Sequence, residues 1–219
     1  FPTRRSSDLL PDEQKKALLG LLRAHQVPLI EDDVYAELHF GPTAPLCSKA
    51  VDPQGRVMHV SSFSKCLAPG YRIGWVAAGR YAGLIQRQKL STSLATTVPV
   101  QIAMADYLRQ GGYENHLRHL RRSLAAQEAA LVAAIEAHFP EGTRLARPQG
   151  GYFLWLELPR RVDALALHRR ALEQGISIAP GPIFSAKREF GHCIRLNFGH
   201  PVDARSLEAA ATLGRLLAA

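Results

Sequence analysis

The stretch SSFSKCLAPGYRIGW, residues 61–75, decides how the rest of the chain is read. A β-prone run over 56–60 leads into it, and a second over 73–78 leaves it. Between them stand hydroxyls, one lysine, a Pro-Gly pair and one arginine. That layout predicts strand, turn-rich loop and strand, with Lys65 at the loop's entry. A lysine amine there can condense with a carbonyl as a Schiff base. Ser62, Ser64 and Arg72 can hold a phosphate, since hydroxyls donate short hydrogen bonds and a guanidinium fork matches phosphate oxygens. Taken alone, Ser-x-Ser-Lys fits a surface lysine better, so the reading turns on what else the chain offers.

The chain has 219 residues, 47% hydrophobic and 21% charged, which suits one or two globular domains with a real core. No apolar run reaches the length of a membrane span, and no secretory pattern is visible. Cys47, Cys66 and Cys193 lack metal-ligand spacing and cannot all pair with one another, so no metal is expected and a reducing, cytoplasmic setting is. The net charge of +8 would suit an anionic partner, but the arginines are scattered and form no basic arm. Residues 1–9, FPTRRSSDL, resemble the translation of a sequencing-adapter oligonucleotide and are set apart from fold reasoning.

Helical spacing and turn residues predict helices over 11–26, over 81–110 with an interruption at 97–99, over 113–139, over 163–174 and over 203–219 with Asp203 as N-cap. Strands are expected over 27–30, 56–61, 73–78, 152–158, 176–179 and 193–198, and a Pro-rich loop over 41–53. The alternation points to an α/β fold with a mostly parallel sheet, followed from about residue 140 by a smaller α+β part. In such sheets ligands bind beyond the carboxyl ends of strands, and both Asp32 and Lys65 fall just past predicted strand ends. The cluster His116, Arg118, His119, Arg121 and Arg122 reads as a solvated helix face rather than a nucleic-acid patch.

Ser-x-Ser-Lys followed by Pro-Gly-x-Arg-x-Gly-Trp resembles the lysine signature of fold-type I, class I/II aminotransferases, which use pyridoxal 5'-phosphate (PLP). Glu31-Asp32-Asp33-Val34-Tyr35 is similar to that family's Asp-x-x-Tyr element. PQGGYFLW (148–155) and APGPIF (179–184) look like its small-domain elements, in the right order. The resemblance runs from about residue 10 to the end. It is nearest in flavour to the PLP domains of MocR-type GntR transcription regulators and the free transaminases related to them.

The resemblance implies roles. Lys65 carries PLP and moves the α-proton; Asp32 faces the pyridine nitrogen, with Asp33 one residue away as the alternative. Tyr35 bonds the ring oxygen. Ser62, Ser64 and Arg72 cup the phosphate, with Ser64 the lesser contributor. Arg195, in IRLNF, takes the substrate's α-carboxylate. A packing aromatic, a loop acid and a surface-strand arginine are the plain readings of Tyr35, Asp32 and Arg195. The resemblance also implies an order of parts: 10–112 the C-terminal part of a PLP-binding large domain, 113–139 a connecting helix and 140–219 a small domain. The family's upstream Gly/Ser loop, ring-stacking aromatic and Asn-Pro-x-Gly element are not found; by spacing, Arg4 and Arg5 stand at the Asn-Pro positions. A homodimeric parent acting on an amino acid and a 2-oxo acid is therefore expected, of which this chain is an inactive piece. If the parent is a regulator, DNA is bound only through a separate N-terminal domain. A PLP-free interaction domain is the third reading, and the four-part site argues against it.

Overall fold

A computed structural model describes residues 10–218. The adapter-like segment 1–9, with Arg4 and Arg5, and Ala219 lie outside the described residues. The chain divides into two compact units whose boundary falls between Leu120 and Arg121.

The first unit opens with helix α1 (Asp12–Ala24), which carries Asp12 and Glu13 in its first turn and Arg23 in its last, as the helix dipole favours. The Val27 N–H bonds the Leu22 carbonyl and closes the helix end. Strand β1 therefore runs over Leu29–Asp32, two residues later than expected, and takes Glu31 and Asp32 into the ladder. It pairs in parallel with β2 (Val57–Ser62), with Glu31 opposite His59 and Asp32 opposite Val60. Strand β3 (Gly74–Ala77) returns antiparallel to β2. The link over 63–73 is shorter than the dozen or more residues a parallel crossover needs, so the strand must turn back.

Helices α2 (Ala82–Thr92) and α3 (Val98–Arg109) follow. The interruption expected at 97–99 lies earlier, over 93–97, because Pro99 sits in the first turn of α3, where its missing N–H costs nothing. Gly111, at φ +73°, turns the chain into α4 (Gly112–His138). Leu19, Leu38, Val57, Met104 and Leu117 are buried in this unit.

In the second unit Leu124, Leu131, Val132 and Ile135 of α4 are buried. A four-stranded sheet follows, in the order β4 (Arg144–Ala146), β5 (Phe153–Glu157), β7 (Cys193–Asn197) and β6 (Ala179–Pro180), antiparallel throughout. Strand β6 begins at Ala179, three residues later than expected, because the Ile176 N–H bonds the Ala171 carbonyl at the end of the preceding helix. Strand β4 was not expected: three residues carry no period, and pairing with β5 defines it. Leu154, Leu156 and Ile194 are fully buried. Helix α5 (Ala164–Glu173) is capped by Asp163, which accepts from the Leu165 and Ala166 N–H groups, so Asp163 precedes the helix rather than beginning it. Helix α6 (Ala204–Ala218) has Asp203 in the capping role, its carboxylate 2.9 Å from the Ser206 N.

Candidate active site

Parallel pairing aligns the carboxyl ends of β1 and β2, so the segments that leave them, 33–35 and 63–73, start at one edge of the sheet. The first is tied down by the Asp33 N–H to the Val60 carbonyl at 2.8 Å. Two further contacts hold Asp33: the Ser61 hydroxyl donates to its carbonyl at 3.2 Å, and His59 Nε2 lies 3.0 Å from its carboxylate. Of the two candidate acids, Asp33 is thus committed to the scaffold, while Asp32 is exposed at the strand end.

The second segment winds tightly. The Leu67 and Ala68 N–H groups both bond the Phe63 carbonyl at 2.9 Å, and the Phe63 N–H bonds the Ile73 carbonyl at 3.0 Å. Lys65 stands exposed on that turn, its Nζ 6.0 Å from the centre of the Tyr35 ring. Arg72 sits at φ +55°, the left-handed region, which directs its guanidinium back over the turn. There it donates to Ser64 Oγ at 3.2 Å and to the Pro69 carbonyl at 3.4 Å. Ser64, not Ser62, is therefore the hydroxyl on Arg72; Ser62 Oγ accepts instead from the Ser64 N–H at 3.4 Å. Gly74 closes the loop where β3 approaches β2 most tightly: a Cβ there would lie 2.8 Å from the Ser61 carbonyl oxygen. An amine, a phenol, two hydroxyls and a guanidinium are thus gathered at the carboxyl edge of two parallel strands, a donor set that fits a phosphorylated aldehyde.

Beneath this edge lies a network the sequence did not announce. The Glu31 carboxylate accepts from the Ser48 N–H at 2.9 Å and the Ser48 hydroxyl at 2.8 Å, and Lys15 Nζ lies 3.3 Å away. Burial alone would raise the Glu31 carboxyl, but the Ser48 donors and the Lys15 ammonium outweigh it and hold it below its ordinary value. Glu31, Cys47 and His59 bring ligand atoms within 4.8 Å of one another. With the carboxylate already taken by Ser48 and an ammonium beside it, Glu31 ties α1 to the sheet through Lys15 rather than offering a cation a place.

A second unannounced group lies on α4. Tyr113 Oη is 3.1 Å from Cys66 Sγ, and His116 Nε2 is 2.7 Å from the Cys66 carbonyl oxygen. His116 therefore faces the Lys65 turn, contrary to the expectation that it belongs to a solvated helix face. The nearby Arg118 donates to Asn115 on the helix itself.

Arg195 belongs to the second unit, on β7 between Trp155 of β5 and Ala179 of β6. Its guanidinium carbon lies 4.1 Å from the Phe153 ring centre and 4.3 Å from that of Phe184. Both rings are within cation–π reach, which restricts how the guanidinium can turn. The three cysteines are free. Burial pushes the Cys47 and Cys66 thiols up, and burial first and Glu157 second push Cys193 up to about 11.

The fold and this edge define a protein of the aminotransferase kind. The chain belongs to the aminotransferase class I and II family, whose model matches residues 6–212. It is 45% identical to the uncharacterized HTH-type transcriptional regulator YdcR of Escherichia coli (strain K12), over 95% of this chain and 44% of that protein. It is 31% identical to aromatic-amino-acid aminotransferase 1 of Thermococcus litoralis, over 94% of this chain and 50% of that protein. Among solved structures, a kynurenine aminotransferase of Pyrococcus horikoshii in complex with PMP superimposes with a TM-score of 0.88 at 33% identity, covering 95% of this chain and 52% of that one. The chain thus spans about half the length of the relatives it matches. No helix among the described residues is long and apolar enough to cross a membrane.

Proposed function

We propose that this chain is the lysine-bearing half of a PLP-dependent class I/II aminotransferase, which moves an amino group between an α-amino acid and a 2-oxo acid. The observation that carries the reading is Lys65 on a tight turn, beside Tyr35 and next to the Ser64–Arg72 pair, at the carboxyl edge of β1 and β2. When bound, pyridoxal phosphate supplies an electron sink for the bond broken at the substrate's α-carbon. Lys65 is the residue whose amine would hold the cofactor's aldehyde and would move the α-proton. Asp32, exposed where Asp33 is engaged, holds the proton on the pyridine nitrogen. Tyr35 donates to the ring oxygen. Ser62, Ser64 and Arg72 bind the phosphate, and Arg195, within cation–π reach of Phe153 and Phe184, binds the α-carboxylate.

The parts follow the same reading: 10–112 belongs to the large domain, 113–139 connects, and 140–219 is the small domain. By analogy with the family the parent is a homodimer. Three free thiols, each raised, suit a reducing cytoplasm. The chain on its own is a poor catalyst, because half a phosphate cup and a missing ring-stacking group hold a cofactor loosely.

One observation favours a second reading. YdcR and a second regulator, YjiR, share 45% and 36% identity with this chain. The same site would then sense an amino-acid effector for a MocR-type regulator, with DNA bound by an N-terminal domain. The coding sequence upstream of residue 10 separates the two: a winged helix-turn-helix selects the regulator. For either, borohydride reduction of the PLP-loaded parent followed by peptide mapping is expected to place the adduct on Lys65. An adduct on Lys49 or Lys89 would overturn the assignment.

A further inference from the structure

We infer that Tyr113 and His116 are positioning residues for Lys65: the first turns of α4 clamp the residue that follows the lysine and so fix where its amine stands. The inference rests on the reading of Lys65 as the cofactor lysine. Cys66 is held at both ends. Its side chain meets the Tyr113 hydroxyl at 3.1 Å, and its carbonyl oxygen meets His116 Nε2 at 2.7 Å. The same residue is 2% exposed, so neither contact has water in competition. Tyr113 is fixed in turn by its ring, which meets Phe63 edge-on at 5.8 Å between centres, and Phe63 packs at a tilt against Trp75 at 4.9 Å. Phe63 is also the residue whose carbonyl closes the turn. Phe63, at the start of the 63–68 turn, and Cys66, the residue next to Lys65, are thus gripped from one helix face.

Burial raises the Cys66 thiol and raises the Tyr113 hydroxyl further, with Cys66 adding to the latter, so their contact is a neutral hydrogen bond throughout the working pH range. That contact therefore acts through geometry rather than charge. Gly111 places it, since its positive φ lets α4 begin within two residues of the end of α3.

The test uses the full-length parent with His116→Ala, His116→Gln and Tyr113→Phe. Two readouts are taken: PLP dissociation constant by absorbance titration, and, in the PLP-free protein, acetylation of Lys65 relative to the exposed Lys89 by mass spectrometry. His116→Ala and Tyr113→Phe are each expected to weaken PLP about five-fold, as loss of one hydrogen bond does, and to raise the Lys65 to Lys89 labelling ratio. His116→Gln keeps a donor near the same place and is expected to restore both. Labelling is done under conditions where each variant is folded, checked by its urea midpoint, so that the ratio reads the native molecule rather than a general loss of stability. Unchanged ratio and affinity in His116→Ala overturn the inference; if that variant does not fold, Tyr113→Phe, which deletes one oxygen, decides by the same readouts. Borohydride mapping of the wild type keeps the premises apart: an adduct on another lysine refutes the cofactor reading and the clamp with it, whereas an adduct on Lys65 with unmoved readouts refutes the clamp alone.

Discussion

Arg72 carries two opposed demands, and replacing it separates them. Its backbone stands at φ +55°, a conformation that costs a non-glycine residue about 1–2 kcal/mol. Its guanidinium reaches Ser64 and, in the proposed function, the cofactor phosphate. Arg72→Gly removes both the strain and the charge; Arg72→Ala removes the charge and keeps the strain. Glycine's extra freedom in the unfolded chain takes back about 0.5–1 kcal/mol. In the cofactor-free parent the glycine variant is therefore expected to be more stable than the alanine variant by about 0.5–1 kcal/mol, read from urea midpoints at constant slope. Both should lose PLP affinity together. A charge-assisted hydrogen bond contributes about 1.5–3 kcal/mol, which is about 10- to 150-fold in the dissociation constant. Absorbance titration measures it. The reasoning is refuted if alanine binds PLP as tightly as arginine, or if alanine proves the more stable of the two variants.

Other outcomes follow from the same geometry. Asp32→Asn should keep PLP bound yet lose most α-proton exchange, measured by NMR in deuterated water, while Asp33→Asn should chiefly lower stability; the reverse pattern would assign the ring to Asp33. Arg195→Ala should leave the cofactor spectrum unchanged and weaken amino-acid binding by roughly 2–5 kcal/mol if the carboxylate pair is buried, measured by spectral titration. Gly74→Ala should destabilise by about 1–3 kcal/mol in chemical denaturation, because its methyl would press on the Ser61 carbonyl. Glu31 has a lowered folded value, so the stability it lends is fully present above its ordinary value of 4.5 and is lost as pH falls through the lowered one. Glu31→Gln should flatten that acid limb of a stability–pH profile, and an unaltered limb would place the titration elsewhere.

The parts of the candidate site that could be proposed from the sequence are those built from neighbours in the chain. Ser62, Ser64, Lys65 and Arg72 share one loop, and Asp32 and Tyr35 share another, so two short strings could carry the family resemblance that implied their roles. The supports could not be read that way. Lys15 reaches Leu46, Ser48 reaches Glu31, and Cys66 meets residues 47 and 50 positions downstream. Such contacts leave no period or motif; they exist only once β1 and β2 are paired and α4 is laid beside the turn. His116 shows the limit well. Among arginines and another histidine it looked like one more solvated residue, yet the rotation of about 100° from one helical residue to the next decides whether a side chain faces water or the Cys66 carbonyl. Strand edges were misplaced for a related reason: the β1 start is set by the Val27 bond that ends α1, and the β6 start by the Ile176 bond that ends α5.

The two tryptophans are distributed one to each compact unit, and this gives the molecule a pair of built-in optical labels. Trp155 is 6% exposed and boxed by Phe184 and Phe190, so its fluorescence should be blue-shifted and deaf to iodide. Trp75 is 42% exposed and packed at a tilt against Phe63 beside the Lys65 turn, so it should emit further to the red and be quenched readily. A chromophore on Lys65 absorbing in the near ultraviolet would drain Trp75 emission by resonance transfer. Trp155→Phe then leaves a chain whose remaining glow reports on the lysine-bearing unit, and Trp75→Phe one that reports on the arginine-bearing unit. Unfolding of each can be watched by itself, with no dye attached.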